Sequence, residues 1–585
     1  MADAPKLKAQ YGYLGRIIGE ARPYRGLLIV SAALAILSAP IAALRPYLVQ
    51  SMVDDYIVVF DLDGLIRMTW VVVGVVVLEA LVRYAFTYLT NWLGQSVVRD
   101  LRDKVFGHLL SLRLTYFDRT PIGTSTTRTI NDIQTINTVF TDGGVAIIAD
   151  LLVVVVVLGL MLSIDWQLTL VCLTTVPLLV WASYLFKEAV KESFQAVRTQ
   201  ISRMNAFLQE RISGMAAVQA FNAEAQEAAK FKRINRAYTQ ANLNAIFYYA
   251  VFFPVVEILS AASLGLMVWW GARGVIGGEV SLGVLVAFPI YLNMLFRPIR
   301  TLADKFNTLQ MGLVAADRVF TLLDRDDKIE DAGGYAPERI EGHIAFDDVT
   351  FAYVEAEWVL QEVSFSLAAK QTLAIVGSTG SGKSTIINLL NRFYEVQRGE
   401  IRLDGVPLPE YSLEYLRSRL AIVLQDVFLF GGTVAENITL ADPNISRERV
   451  VEAAKLIGAH DFIARLPDGY DHVVHERGAT LSMGQRQLIS FVRALVFEPD
   501  ILILDEATSS IDPESEAVIQ HAIETLIQRR TSIVIAHRLA TIRHADKILV
   551  LDKGRVVEFG SREELLRIEG GHFRELWELQ YVGAE

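Results

Sequence analysis

The sequence predicts two joined parts. One is a multi-pass α-helical membrane domain of six transmembrane helices with long cytoplasmic extensions; the other is an α/β P-loop ATPase domain. Three observations predict this. Long apolar stretches fill the first half of the chain, and short apolar runs alternate with helical stretches in the second. The run Gly377-Ser-Thr-Gly-Ser-Gly-Lys-Ser-Thr385 follows one such apolar run and opens one such helix.

A length of 585 residues suggests more than one domain. The chain is 52% hydrophobic with a mean hydropathy of +0.34, above the roughly 45–50% apolar share of soluble proteins. A net charge of -11 argues against a nucleic-acid partner, which would need a basic face. Cys172 is the single cysteine, so the chain holds neither a disulfide nor a cysteine metal site, and an apolar setting marks it as packing.

The spans are expected at 27–47, 68–92, 143–163, 167–186, 246–271 and 280–303, each near the roughly 20 residues that cross a hydrocarbon core. A basic lead (Lys6, Lys8, Arg16, Arg22, Arg25) precedes the first, with no small-residue cleavage site, so it reads as a span and not as a signal peptide. Leu14 to Tyr24 mixes apolar and charged residues as an amphipathic elbow helix at the inner surface would. The first loop is acidic (Asp54, Asp55, Asp61, Asp63). The segments after the second and fourth spans are rich in Arg and Lys. The positive-inside rule then places both termini and these long segments in the cytoplasm of a cell with the chain in its inner (plasma) membrane. The expected division is 1–26 for the lead, 27–323 for the membrane domain, 324–340 for a polar linker and 341–585 for the nucleotide-binding domain.

In that last domain the runs Leu373–Val376, Ala421–Leu424, Ile501–Leu504, Ser532–Ala536 and Lys547–Leu551 read as strands of a mainly parallel sheet. Gly377, Ser378, Thr379, Gly380, Ser381, Gly382, Lys383 and Ser384 fit the spacing G-x-x-x-x-G-K-[ST], with Thr385 continuing into a helix. Backbone N–H groups and a helix N-terminus would face phosphate oxygens. Lys383 would reach the β- and γ-phosphates of ATP, and Ser384 would meet Mg²⁺. Farther on, Ile501-Leu-Ile-Leu-Asp505-Glu506 ends a buried strand in two carboxylates, a costly arrangement unless they face a cation or a reacting group. Asp505 would hold Mg²⁺ and Glu506 would polarise the attacking water.

With Leu481-Ser-Met-Gly-Gln485 about twenty residues before that pair, the chain resembles the ABC transporter superfamily, whose signature usually reads Leu-Ser-Gly-Gly-Gln. It is most similar to the exporter half-transporters, which fuse one six-span domain to one nucleotide-binding domain. The resemblance implies that Tyr353 stacks on adenine, that Gln425 contacts Mg²⁺ and the reaction water, that Asp512 belongs to a loop between two nucleotide domains, and that His537 contacts the γ-phosphate. Without it, Tyr353 reads equally as a core tyrosine at a strand end. The resemblance also implies a dimer: each ATP lies between the P-loop of one domain and Ser482, Gly484 and Gln485 of the other. Tyr116-Phe-Asp-Arg-Thr-Pro-Ile-Gly123, and Ile212-Ser-Gly with Val218–Asn222, resemble the two cytoplasmic turns that dock on nucleotide domains.

Two positions depart from the family pattern. Met483 replaces a signature glycine, and His475 stands where glycine is usual. Glu506, Lys383, Gln425 and His537 are retained. This combination resembles one subunit of a heterodimeric exporter, whose partner supplies the intact signature; a homodimer that tolerates methionine is the alternative. Within the spans, Arg83, Asp150 and Glu257 are ionisable. Glu257, with Tyr249 and Phe253, suggests an aromatic cavity for hydrophobic or amphipathic compounds, such as drugs or lipids. Helix–helix hydrogen bonding or snorkelling of Glu257 is the plainer reading. A peptide exporter and an ATP-gated channel remain as alternatives.

Overall fold

A computed structural model describes residues 4–329, 331, 333–505, 513–536 and 542–582. The chain forms two compact units: Met1–Ser111 with Thr120–Asp326, and Leu112–Arg119 with Asp327–Glu585.

The first unit is helical. Among the described residues, five helical stretches are long and apolar enough to cross a membrane: Arg22–Ile57, Leu62–Ser111, Ile122–Ile164, Trp166–Ser213 and Glu224–Ile276. A sixth helix, Leu282–Leu323, is long, but its apolar part is only Leu282–Pro298. The expected sixth span, 280–303, falls on this helix, and Arg297 and Arg300 interrupt its apolar run near the end. Most helices run far past the length a bilayer needs, as the charged extensions in the sequence require. Pro40, Pro46, Pro254, Pro289 and Pro298 lie inside helices, where neighbouring helices can satisfy the carbonyl groups that proline frees. Asp165 alone separates the third and fourth stretches. Its carboxylate accepts from the Leu168 N–H at 2.9 Å, so one residue both ends one helix and caps the next. Phe288, Tyr291 and Phe296 pack with Met161, Cys172 and Phe252 in the core.

The elbow helix spans Ala4–Glu20. Arg16 forks onto both carboxylate oxygens of Asp324 at 2.6 and 2.8 Å, and its guanidinium lies 4.3 Å over the Phe320 ring. Lys104 reaches Glu20 at 2.7 Å. Asp150 is answered by Lys305, at 2.5 Å. A carboxylate in a span needs such a partner, and sequence alone does not say where it comes from. Arg83 is exposed.

The second unit is built on two larger sheets. One is six-stranded, in the order β12-β11-β3-β10-β9-β6. Its strands are β3 (Thr372–Gly377), β6 (Leu420–Val423), β9 (Ile501–Asp505), β10 (Thr531–Ile535), β11 (Lys547–Asp552) and β12 (Arg555–Gly560). The five expected runs are the five parallel strands; β12 pairs antiparallel at one edge. The other sheet is antiparallel, in the order β2-β1-β4-β5, with β1 (Ile344–Phe351), β2 (Leu360–Leu367), β4 (Arg398–Leu403) and β5 (Val406–Pro407). One apolar core joins the faces of both sheets, including Phe346, Phe365, Ile375, Ile386 and Ile503. A second packs β6 and β9 on the helices Arg447–Ile457, Met483–Val496 and Pro513–Ile527.

Candidate nucleotide site and membrane cavity

Strand β3 is buried throughout except at Gly377, so the chain leaves the sheet interior at the first residue of the phosphate loop. Gly377 has φ +155, and a Cβ there would lie 2.2 Å from the Leu551 carbonyl oxygen. Gly382 has φ +103, and its Cβ would meet the Leu360 side chain at 2.6 Å. Only glycine fits both positions. Ser378, Thr379 and Gly380 are exposed, as is Ser384 in the first turn of the helix Lys383–Leu390. Thr385 is buried.

The buried Lys383 donates to the carbonyls of Gly377 and Ser378, each at 2.9 Å. The ammonium is thereby held across the loop that would cradle phosphate. Among the described residues the buried Ser381 hydroxyl has no hydrogen-bond partner. An orphaned donor and a fixed cation in a loop of open N–H groups suit a polyphosphate. Asp505 ends β9, beside Ile535 of β10. The next residue after Asp505 is Glu506, and His537 follows β10 by two residues. Glu506, Asp512 and His537 lie outside the described residues. Gln425 is exposed, two residues beyond β6.

Tyr353 is tied to the phosphate-loop helix. Its hydroxyl donates to Thr385 Oγ1 at 3.3 Å and accepts from Asn388 Nδ2 at 3.0 Å. Its ring meets Phe351 and Tyr394 edge-on, each at 4.9 Å. The segment Leu112–Arg119 belongs to this unit. Arg113 donates to the Lys328 carbonyl at 2.8 Å, Arg119 donates to the Tyr353 carbonyl at 2.9 Å, and the Tyr394 hydroxyl donates to Asp118. Burial first, and then that bond to Asp118, pushes the Tyr394 hydroxyl well above the ordinary tyrosine range. Tyr394 and Asn388 carry no expectation from the sequence, whereas Arg119 lies in the first of the two resembling turns. In the second resembling turn Ile212 and Phe221 are exposed, Phe221 to 83%.

The signature residues open the helix Met483–Val496. Ser482 is its N-cap and accepts from the Gln485 N–H at 3.2 Å, while the Gln485 side chain accepts from the Ser482 N–H at 3.0 Å. This reciprocal capping box is what Ser-x-x-Gln predicts. Gly484 is buried. Met483 is half-buried and occupies the first helical position, with no left-handed φ. His475 is exposed.

Residues 28–299 match the family described as ABC transporter transmembrane region, and residues 360–509 match that described as ABC transporter. An uncharacterized ABC transporter ATP-binding protein of Bacillus subtilis is 38% identical over 98% of this chain and 95% of its own length. A second Bacillus subtilis protein, named "Probable multidrug resistance ABC transporter ATP-binding/permease protein", is 38% identical over 89% of this chain and 77% of its own. An ATP-dependent lipid A-core flippase of Thiobacillus denitrificans is 34% identical over 99% and 100%.

The chain belongs to the ABC transporter family. It is an exporter-type half-transporter: a multi-pass membrane protein that binds ATP and couples its hydrolysis to transport. A half-transporter of this fold dimerises within a lipid bilayer.

The transporter's membrane unit contains a cavity of about 830 Å³. Of the three residues expected to hold cargo, Tyr249 lines it. Glu257 and Phe253 do not; both are exposed on the helix Glu224–Ile276. The sequence pointed to an acid among aromatics on one helix, whereas the cavity draws on several helices and lies toward their charged extensions.

Proposed function

We propose that this transporter exports hydrophobic or amphipathic compounds, drugs or lipids, by alternating access from a cytoplasmic-facing to an outward-facing state. The carrying observation is the union, in one chain, of apolar spanning helices with one phosphate loop and one signature helix. Relatives named for multidrug resistance and for lipid A-core flipping support the cargo class. Both termini lie in the cytoplasm of a cell whose inner (plasma) membrane holds the protein. The basic segments support this orientation.

The loop Gly377–Thr385 wraps the phosphates, Lys383 leaves its loop carbonyls for the β- and γ-phosphates, and Tyr353 offers its ring to adenine. Ser384, Asp505 and Gln425 hold Mg²⁺, which neutralises charge on the phosphate oxygens when bound. Glu506 orients and polarises the attacking water, with Gln425 beside it. His537 donates to the γ-phosphate. Ser482, Gly484 and Gln485 of the partner close over the nucleotide, and Asp512 lies in the loop that crosses between the two domains. ATP drives closure because it binds the closed dimer better than the open one.

The retained Glu506 and His537, beside the altered Met483, support a heterodimer whose second chain supplies the intact signature. Two experiments test these readings. ATP-driven accumulation of a hydrophobic compound in vesicles against its gradient is expected; dissipation alone would make the chain a channel. Fast, transport-coupled hydrolysis by the purified chain alone would establish a homodimer instead.

A further inference from the structure

We propose that the cavity of the membrane unit binds an amphiphile with an anionic head, the head on Lys191 and Arg198 and the apolar body on Phe186, Phe194 and Tyr249. This rests on the reading of the chain as an exporter of amphipathic compounds, and gives that cargo a charge.

The cavity holds about 830 Å³, within the usual range for small-molecule sites. Its apolar wall is an aromatic cluster. Phe186 meets Tyr249 edge-on at 5.0 Å and stacks on Phe252 at 4.0 Å, and Phe194 reaches Tyr249 at 6.3 Å. Phe186, Val190 and Phe194 recur every four residues on the helix Val176–Ser213 and so form one lane. Lys191 and Arg198, seven residues apart, form a second lane beside it. From Phe186 to Arg198 the helix rises about 18 Å, more than half of the ~30 Å hydrocarbon core. A long apolar body and a charged head therefore both find a surface along this wall.

The charges decide the sign of the head. Among the described residues, five ionisable side chains besides Tyr249 line the cavity: Asp132, Lys191, Arg198, Asp304 and Arg318. Arg318 and Asp132 answer each other at 3.4 Å. Arg198 donates to the Met311 sulfur at 3.6 Å. Among the described residues neither Lys191, Arg198 nor Asp304 has an ion-pair partner. Two cations therefore face one carboxylate, and the surplus is positive. A guanidinium and an ammonium on one face suit a phosphate, sulfate or carboxylate head. A cationic compound would find Asp304 alone, with two like charges nearby.

The test is equilibrium binding to the full-length, nucleotide-free protein in nanodiscs of phosphatidylcholine. Three probes of equal chain length are compared: an alkyl phosphate, an alkyl phosphocholine and an alkyl trimethylammonium. The phosphate probe is expected to bind about tenfold tighter than the ammonium probe. Lys191→Gln with Arg198→Gln should abolish that preference, and Arg198→Lys alone should keep most of it. Phe194→Ala should weaken all three probes alike, which separates the apolar wall from the head site. Equal binding of the phosphate and ammonium probes, or a preference untouched by the double variant, overturns the proposal. Displacement of the alkyl phosphate by an equal concentration of inorganic phosphate also overturns it, since the site would then hold a free anion. Vesicle uptake of a neutral amphiphile decides the export reading separately, because the binding assay needs neither ATP nor transport.

Discussion

The guanidinium of Arg119 donates to the backbone carbonyl of Tyr353 at 2.9 Å. Beside it the Tyr394 hydroxyl bonds Asp118, and the Tyr394 ring meets that of Tyr353. The segment that follows the helix Leu62–Ser111 in sequence is therefore fastened to the tyrosine proposed for adenine. Tyr353→Ala should weaken ATP binding about tenfold, the scale of one base-stacking contact. Tyr394→Phe keeps the ring and removes the bond to Asp118. It should leave ATP affinity within about threefold but lower cargo-stimulated hydrolysis, since a hydrogen bond to a carboxylate is worth about 1.5–3 kcal/mol. Titration with a fluorescent ATP analogue, alongside stimulated turnover, reads both effects; a tenfold affinity loss in Tyr394→Phe would make it a second adenine contact.

Glu506→Gln should lose nearly all turnover while still binding ATP, and Lys383→Ala should lose binding itself. The first removes the group proposed to polarise water; the second removes the cation set across the phosphate loop. Nucleotide trapping together with steady-state hydrolysis separates the two. Surviving turnover in Glu506→Gln would remove that residue from the chemistry.

Met483→Gly should raise hydrolysis by the chain alone, by about tenfold or more if the thioether blocks approach to the opposite phosphate. The helix should persist, since the cap is built by Ser482 and Gln485. Ser482→Ala should instead destabilise the helix start by about 1 kcal/mol. An unchanged rate in Met483→Gly would show that methionine is no obstacle.

Asp150→Asn should destabilise the membrane unit by about 1–3 kcal/mol, the scale for a hydrogen bond to a charged group, because it leaves Lys305 unanswered in a part-buried pair. Exchanging the two residues, Asp150→Lys with Lys305→Asp, should recover much of the loss. Thermal unfolding in detergent across the double-mutant cycle measures the coupling; additive losses would deny it.

The elbow helix should loosen in acid. The Arg16 hydrogen bond holds the Asp324 carboxyl below its ordinary range. A depressed carboxylate adds stability that is present above the unfolded pKa and is lost as pH falls through the folded one. Both side chains are substantially exposed, so the contribution is under about 1 kcal/mol. The protection of Ala4–Glu20 against hydrogen exchange, measured relative to the intrinsic rate at each pH, should fall near pH 3 relative to pH 7, and Arg16→Gln should show lower protection at pH 7.

Local chemistry was legible and long-range pairing was not. The five parallel strands announce themselves as continuous apolar runs because both of their faces are covered. The antiparallel sheet does not, because β2 alternates buried and exposed positions, and β5 has two residues. The phosphate loop is legible because its glycines and lysine act within nine consecutive residues. Asn388 and Tyr394 were missed, and the partner of Arg119 was not legible, because the bonded residues lie 35, 276 and 234 positions away. Asp150 signalled a need for a countercharge, yet Lys305 is 155 residues distant. The lining of the cavity was not legible for the same reason. Its wall is assembled from helices that only packing brings together.

The capping box also has an evolutionary consequence. Ser482 and Gln485 complete the start of their helix between themselves, and residue 483 adds nothing to that closure. Its side chain can therefore change without undoing the cap. A duplicated gene could silence or restore one of two ATP sites through that single codon, with the helix start closed in both proteins. Division of labour between paired subunits is then a short mutational step, and a reversible one.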